Sequence, residues 1–364
     1  MTKIYGVVAE FNPFHNGHKI FIDTIKQKYH PDVLIAVMSG NFVQRGDFAV
    51  LDKWDRAKLA VDLGVDLVIE LPLAFAVQPA ELFAQGAMKL LNLLKIDTLV
   101  FGTEKELDFI KMAKKVLIAN DKFEQDYRQS SATNLTSYYQ SLGIDITDLP
   151  NQMLGLNYVQ QIEKFHYPIS FQTILRKSGF SATSVRKDLK LGASVSIAVP
   201  KLTDQMINKN QTYTWDDFYP YLRYQVINSD ISELHSIYQM VEGLEYKLKK
   251  EITVSENFED FLNRVKSKRY TRARLRRLMI YVLMNIKPAE IESVYENPYL
   301  RVLGFNENGR KFLNQHKKDL NLITKVGKKE AQTLELEVRA DQIYQLQSKQ
   351  AQDFGKMPYM KGVN

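Results

Sequence analysis

The sequence predicts an α/β fold, a parallel sheet followed by a mainly helical and basic part, and three observations point there. Over residues 1–199 short apolar runs alternate with amphipathic stretches, the pattern of successive βαβ units. His15, Ser39, Gly40 and Gly102 each follow an apolar run, at the carboxyl ends of strands where open α/β sheets take their ligands. Charge is also divided along the chain. Residues 1–150 hold 16 Lys and Arg against 19 Asp and Glu, and the remainder holds 33 against 23, so the surplus behind a net charge of +7 belongs to the second part.

The elements follow in order. Ile4, Val7, Val8 and Ala9 form a buried strand, Asn12 and Pro13 break it, and residues 19–29 form an amphipathic helix carrying Ile20, Phe21 and Ile25. Strands are expected over 33–37, 67–70 and 98–101, separated by helices over 52–63 and 80–94. Residues 106–140 read as helical, and 169–175 as a further strand leading to Arg176. Past Pro200 the segments 215–226, 231–248, 258–265 and 270–284 read as helices, with Pro288 as punctuation. In the tail, the alternation over 333–338 suggests a small edge strand.

With 364 residues, 45% of them apolar, the chain can bury substantial cores, and its length suggests two domains. Cysteine is absent, which excludes disulfides, thiolate metal sites and a cysteine nucleophile. The opening MTKIYGVVAEFNPF lacks a secretory apolar core, and no apolar run reaches the ~18 residues a membrane span needs. A cytoplasmic protein with no membrane partner is expected.

The residues that carry chemistry cluster first at His15 and His18, three apart and on one helical face. Gly17 lets a ligand approach the backbone, and the amides and dipole of a helix start favour an anion. Two histidines there either cap the helix or stabilise charge on a phosphate. Asp52, Lys53 and Arg56 open a helix as cap and solvated cations, or as phosphate or RNA contacts. Asp66 and Glu70 flank a strand and read as structural ion-pair partners rather than Mg²⁺ ligands. Gly102 makes a turn, and would also let an adenine or ribose lie against the chain. Ser181 and Thr183 cap a helix whose first turn carries Arg186. The strongest nucleic-acid signal is RVKSKRYTRARLRR over 264–277, eight cations and no acid in fourteen residues. If helical from Thr271, it puts Arg272 and Arg276 on one face and turns Leu275, Leu278 and Met279 inwards. Tyr270 either stacks on an unpaired base or is buried.

Taken as an ordered set, these motifs resemble the HIGH-motif nucleotidyltransferases and, within them, the tRNA(Met) cytidine acetate ligase family. The resemblance rests on IYGVVAEFNPFHNGHKI, VMSGNFVQRG from Val37, Asp52-Lys53 with Arg56, GVDLVIELP from Gly64, Phe101-Gly102-Thr103-Glu104, Pro150-Asn151 with Leu154-Gly155-Leu156, Arg176, Ser181 to Arg186, and Lys268-Arg269-Tyr270. It covers residues 1 to about 280. It implies a Rossmann-like nucleotidyltransferase domain over 1–199 and a mainly helical tRNA-binding domain over 200–364. The implied catalytic residues are His15, His18 and Arg186. ATP would be bound by Val7, Val8, Ala9, Glu10, Phe11, Asn12, Pro13, Phe14, His15, Asn16, Gly17, His18, Lys19 and Ile20, with Gly102, Asn151, Arg176, Ser181 and Thr183. Elongator tRNA(Met) would be held by Lys268, Arg269, Arg272, Arg274, Arg276 and Arg277. Acetate and ATP are the implied co-substrates, Mg²⁺ is expected with ATP, and no metal-ligand motif is visible.

Two features depart from the family's pattern. Four residues separate Arg176 from Ser181 where a longer segment with a Tyr-His pair is usual, and Gln152 follows Asn151 where a second asparagine is common. A small-metabolite adenylyltransferase or cytidylyltransferase would need the N-terminal motifs but not the basic helix; a non-catalytic RNA-binding protein would need the helix but not the histidines.

Overall fold

A computed structural model describes residues 2–119, 129–146, 149–176, 179–241 and 243–362, without the side chains of 131 and 132. The chain starts with β1 (Ile4–Ala9), α1 (Asn16–Tyr29), β2 (Val33–Ser39), a small hairpin of β3 (Phe42–Val43) and β4 (Asp47–Phe48), and α2 (Lys53–Asp62). Next come β5 (Leu67–Leu71), α3 (Leu73–Ala76), α4 (Ala80–Leu93), β6 (Thr98–Thr103), α5 (Phe109–Ala119), α6 (Ser131–Ser141), α7 (Pro150–Phe165), β7 (Ser170–Leu175) and α8 (Ala182–Lys190). A run of helices follows: α9 (Lys201–Lys209), α10 (Trp215–Asn228), α11 (Ile231–His235), α12 (Leu244–Val254), α13 (Phe258–Val265), α14 (Arg272–Leu283) and α15 (Pro288–Glu296). The chain closes with β8 (Leu300–Phe305), α16 (Glu307–His316), β9 (Leu322–Ile323), α17 (Lys328–Thr333), α18 (Glu335–Ser348) and β10 (Tyr359–Met360).

Among the described residues β1, β2, β5, β6, β7, β8 and β10 form one sheet in the order β10-β8-β5-β2-β1-β6-β7, with β9 added on β8. Pairing is parallel except between β5 and β8. The strand order reverses around β1, which places the ligand crevice beyond the carboxyl ends of β1 and β6. Every residue of β2 is buried because both sheet faces are covered. Val33, Ile35 and Val37 join the core on one face, and Leu34, Ala36 and Met38 pack with Ile22, Ile25, Ala57 and Ala60 of α1 and α2 on the other.

Two expectations need correction, over 333–338 and over 231–248. The second part is mainly helical, as expected, and stays so beyond Glu296 through α16, α17 and α18, while β8 returns antiparallel to β5 and brings β9 and β10 into the sheet. Residues 333–338 lie in α17 and α18, not in a strand. Leu336 and Val338 do point inwards, but so do the carboxylates of Glu337 and Asp341, and these buried charges disguise a helical period as alternation. The helix expected over 231–248 breaks between α11 and α12, where Gln239 and Gly243 adopt positive φ of 61° and 72°. The stretch 106–140 is helical as expected where it is described, in α5 and α6, and its residues 120–128 lie outside the described set.

Candidate active site

The loop after β1 builds the site. Phe11 turns the chain with a φ of 46°, and Asn12 is pinned by accepting the Val50 amide on its side-chain oxygen at 2.8 Å. Phe14 and His15 are buried, and His15 is the N-cap of α1, so the helix starts three residues earlier than its apolar pattern suggests. The backbone N–H of His15 donates to His18 Nδ1 at 3.2 Å, which assigns the proton of a neutral His18 to Nε2. The two imidazoles stack with centroids 3.7 Å apart, and the rings of Phe11 and Phe14 meet His18 edge-on at 5.1 and 5.4 Å. His15 Nδ1 is buried and has no protein hydrogen-bond partner. Gly17 is required here, since a Cβ would stand 2.8 Å from His15 Cε1 and 3.1 Å from Phe180 Cβ. Elsewhere in the 7–20 stretch Val7 is core, Asn16 is anchored to Ile197 O and Ala198 O, and Lys19 pairs with Asp23.

Two arginines close on the histidines. Buried Val185 of α8 packs with Val50, Leu51 and Leu59, which presents Arg186 to Asn12 O at 2.7 Å and to Thr183 Oγ1 at 3.3 Å. Ser181 caps that helix by accepting the Thr183 amide at 3.2 Å. Arg176 prolongs the β6–β7 ladder through its amide to Thr103 O at 2.9 Å, and its Cγ would lie 3.2 Å from a Cβ on Gly102. The short connection to Ser181 therefore still leaves Arg176 over the crevice. Burial, followed by the charges of Arg176 and Arg186, pushes His15 down to about 4, and burial followed by the neighbouring His15 also holds His18 well below the usual imidazole range. Both imidazoles are neutral at pH 7, and each offers one N–H. Asn151, at the start of α7, donates to Glu104 just beyond β6, and Gln152 Nε2 reaches Lys105 O at 2.9 Å.

Lys53 and Arg56, open as phosphate or RNA contacts in the sequence, are internal instead. Lys53 is buried against Glu70 at 2.8 Å and against Asp341. Arg56 donates to the carbonyls of Leu51, Glu10, Ser39 and Gly40, holding the ends of β1 and β2 together. Asp66 and Glu70 are structural as expected: Asp66 accepts from the Leu34 amide, Lys26 and Asn306.

The basic segment is only partly exposed. Lys268 and Arg269 are exposed, whereas Arg272 pairs with Glu259, and Arg276 bridges Asp47 at 2.9 Å and Glu259 at 2.7 Å. Arg274 lies over the Tyr270 ring, 4.6 Å from its centroid, and that ring is buried. Burial lowers the Arg277 pKa. Sequence reasoning placed these arginines apart from the nucleotide crevice; in the structure Asp47 and Gly46 of the β3–β4 hairpin carry α14 to its rim. Arg45, at the tip of that hairpin, was quoted as motif but given no role, and the Gln-Arg-Gly turn between two short apolar pairs was the available signal.

The HIGH nucleotidyl transferase family model matches residues 2–357. The chain is similar to the tRNA(Met) cytidine acetate ligases of Lactobacillus gasseri, at 36% identity over 98% of this chain and 99% of that one, and of Listeria monocytogenes, at 37% with the same coverage. Among solved structures it is similar to Thermotoga maritima TmcAL bound with alpha-thio ATP, with a TM-score of 0.89, 28% identity and 99% of each chain covered.

Proposed function

We propose the following reaction from one premise: the chain belongs to the HIGH nucleotidyl transferase family and, within it, to the tRNA(Met) cytidine acetate ligase family. It is an ATP-dependent ligase. Acetate and ATP form acetyladenylate and pyrophosphate, after which the exocyclic N4 of the wobble cytidine of elongator tRNA(Met) attacks the acetyl carbon and AMP departs. Acetate needs this activation because its oxygen is a poor leaving group, and the cytosine amine is a weak nucleophile whose lone pair is shared with the ring.

One observation carries the reading: a stacked pair of neutral imidazoles caps α1 between two guanidinium groups, and the buried His15 Nδ1 has no protein partner. His18 Nε2–H and His15 would hydrogen-bond phosphate oxygens, and Arg176 and Arg186 with the amides of α1 would hold the charge that develops as pyrophosphate leaves. Residues 7–20 with Gly102, Asn151, Arg176, Ser181 and Thr183 form the proposed ATP site. Lys268 and Arg269 form the exposed part of the proposed tRNA contact, with the half-buried Arg272, Arg274, Arg276 and Arg277 behind them. Mg²⁺ would accompany the ATP phosphates and offset their charge; no group of three acidic or histidine ligands gathers among the described residues. No helix among the described residues is long and apolar enough to cross a membrane, which suits the cytoplasmic setting of a tRNA-modifying enzyme.

Acetate labelled with ¹⁸O in its carboxylate tests the mechanism. The acetate oxygen that attacks the α-phosphorus stays with it, so labelled AMP must accumulate alongside N4-acetylcytidine in the digested tRNA. Acetylated tRNA accompanied by unlabelled AMP would reject acyl-adenylate chemistry.

A further inference from the structure

Glu10 is the first residue beyond β1 and the one acidic residue of the 7–20 stretch, so its backbone can line the proposed ATP site while its carboxylate would repel a triphosphate. Its Oε1 accepts the Gln44 amide at 2.7 Å, tying it to the β3–β4 hairpin, and its own carbonyl accepts from Arg56 at 2.7 Å. The other side of that hairpin belongs to the basic helix. Gly46, at φ 72°, lies so close to α14 that a Cβ would stand 2.3 Å from Arg277 N, and Trp215 Nε1 clamps Gly46 O at 2.8 Å. The Glu10 carboxylate therefore occupies the seam between the histidine crevice and the cationic helix. Burial pushes its carboxyl up, against the Gln44 hydrogen bond and the charges of Arg186, Arg56 and Arg45. Tyr158, on α7, is close enough to feel the Glu10 charge, and its hydroxyl is buried without a protein partner. Of the arginines around Glu10, Arg56 is spent on backbone carbonyls and Arg186 on Asn12 and Thr183, while Arg45 is exposed at the hairpin tip.

We propose that Glu10 and Arg45 form the seat of the acceptor nucleobase, with Glu10 accepting a proton from the attacking exocyclic amine. The chemistry they select is an unpaired pyrimidine edge with an amine donor beside ring acceptors. A carboxylate accepts from N4–H, and a guanidinium donates to N3 or O2, the edge of a cytosine splayed from its loop. This rests on the acyl-adenylate reading above. In the transfer step the N4–carbon bond forms, the carbon–oxygen bond to AMP breaks with its electron pair going to the phosphate oxygen, and the amine proton passes to Glu10 and then to water.

The two half-reactions are measured separately on the full chain: acetate-dependent exchange of pyrophosphate into ATP without tRNA, and single-turnover acetyl transfer from preformed adenylate to tRNA(Met), between pH 5 and 9. In the wild type, transfer should rise with pH beyond the ordinary carboxyl range and then level off. Glu10→Gln should slow transfer ~10²- to 10⁴-fold, far more than exchange, and abolish the rise. Arg45→Ala should weaken use of tRNA by roughly ten- to a hundredfold. Equal losses in both half-reactions of Glu10→Gln, or a wild-type pH profile in that variant, overturn the assignment. Should Glu10→Gln fail to fold, a flat wild-type transfer profile or an unaltered Arg45→Ala overturns it instead. Absence of acetate-dependent exchange in the wild type marks failure of the adenylate reading itself.

Discussion

His15 and His18 owe their chemistry to position rather than to type. Stacked, half enclosed by Phe11 and Phe14, and facing two guanidinium groups, they stay neutral and offer N–H donors where an imidazolium pair would repel itself. Replacing either with alanine should cut acetate-dependent pyrophosphate exchange by about 10²- to 10³-fold with the far-UV circular dichroism unchanged. The lowered pKa values also tie folding to pH. Folded imidazoles whose pKa is lowered, to about 4 for His15 and well below the ordinary range for His18, bind protons less readily than the unfolded ones at about 6.5, so acid favours the unfolded chain. Below pH 6.5 each histidine should cost about 1.4 kcal/mol per pH unit until its folded pKa is reached. Because Glu337 acts in the opposite direction over the same range, the loss is read as the difference in urea-unfolding free energy between wild type and His18→Asn at pH 7, 6 and 5, a difference that should shrink as the pH falls. The His-x-Gly-His spacing was readable from sequence; the stacking and the neutral state were not, because they depend on Arg176 and Arg186, over 150 residues away.

At the scale of elements, α14 does two jobs. Its Leu275, Leu278 and Met279 face the core as the periodicity indicates, and Thr271 caps it by accepting the Arg274 amide at 3.2 Å. Its cations then divide between carboxylates, which hold Arg272 and Arg276, and the Tyr270 ring, which carries Arg274. Arg274→Ala with Lys268→Ala should lower the slope of log tRNA affinity against log salt by about one per lost phosphate contact, and leave the melting temperature nearly unchanged. Arg276→Ala should act the other way, lowering the melting temperature by loosening Asp47 and Glu259. Salt-titrated filter binding and thermal unfolding on the same proteins separate the two; equal salt slopes in all of them would demote the segment to a solvated face. Density of positive charge alone could not show this division, since Glu259 and Asp47 are distant in sequence or belong to another element.

Across the whole molecule, the tail is locked under the catalytic sheet by a buried ion network. Lys53 meets Glu70 and Asp341; Arg301 of β8 meets Asp353 at 2.7 Å and Glu70 at 3.5 Å; Asn41 donates to Asp341 and Gln352. Removing one partner strands the others in a low-dielectric interior, so Asp341→Ala should cost about 3–5 kcal/mol in urea unfolding, far above an exposed pair such as Arg310–Glu307. Glu337, held by the Tyr299 hydroxyl at 2.6 Å, is pushed up to about 8 by burial and then by the charge of Glu70. Its folded pKa lies above the unfolded one, so its contribution is complete below about 4.5 and is lost as pH rises through about 8. Stability should therefore decline between pH 6.5 and 8, where the histidines no longer titrate, and Glu337→Gln should remove part of the decline.

The alternation of strands and helices up to β7, the strand-end position of the histidines and the inward face of α14 were determined by the sequence itself, because each is a local matter of periodicity, turn chemistry or capping. Tertiary structure alone decided that β8 returns to β5, that Lys53 and Arg56 are internal, and that the β3–β4 hairpin carries the basic helix to the crevice. The β8–β5 pairing, the Lys53–Asp341 pair and the contact of α14 with the hairpin join residues more than two hundred positions apart, and Arg56 is taken up by carbonyls of separate loops: a buried cation and a solvated one look alike along the chain, and differ only when the fold brings the partner.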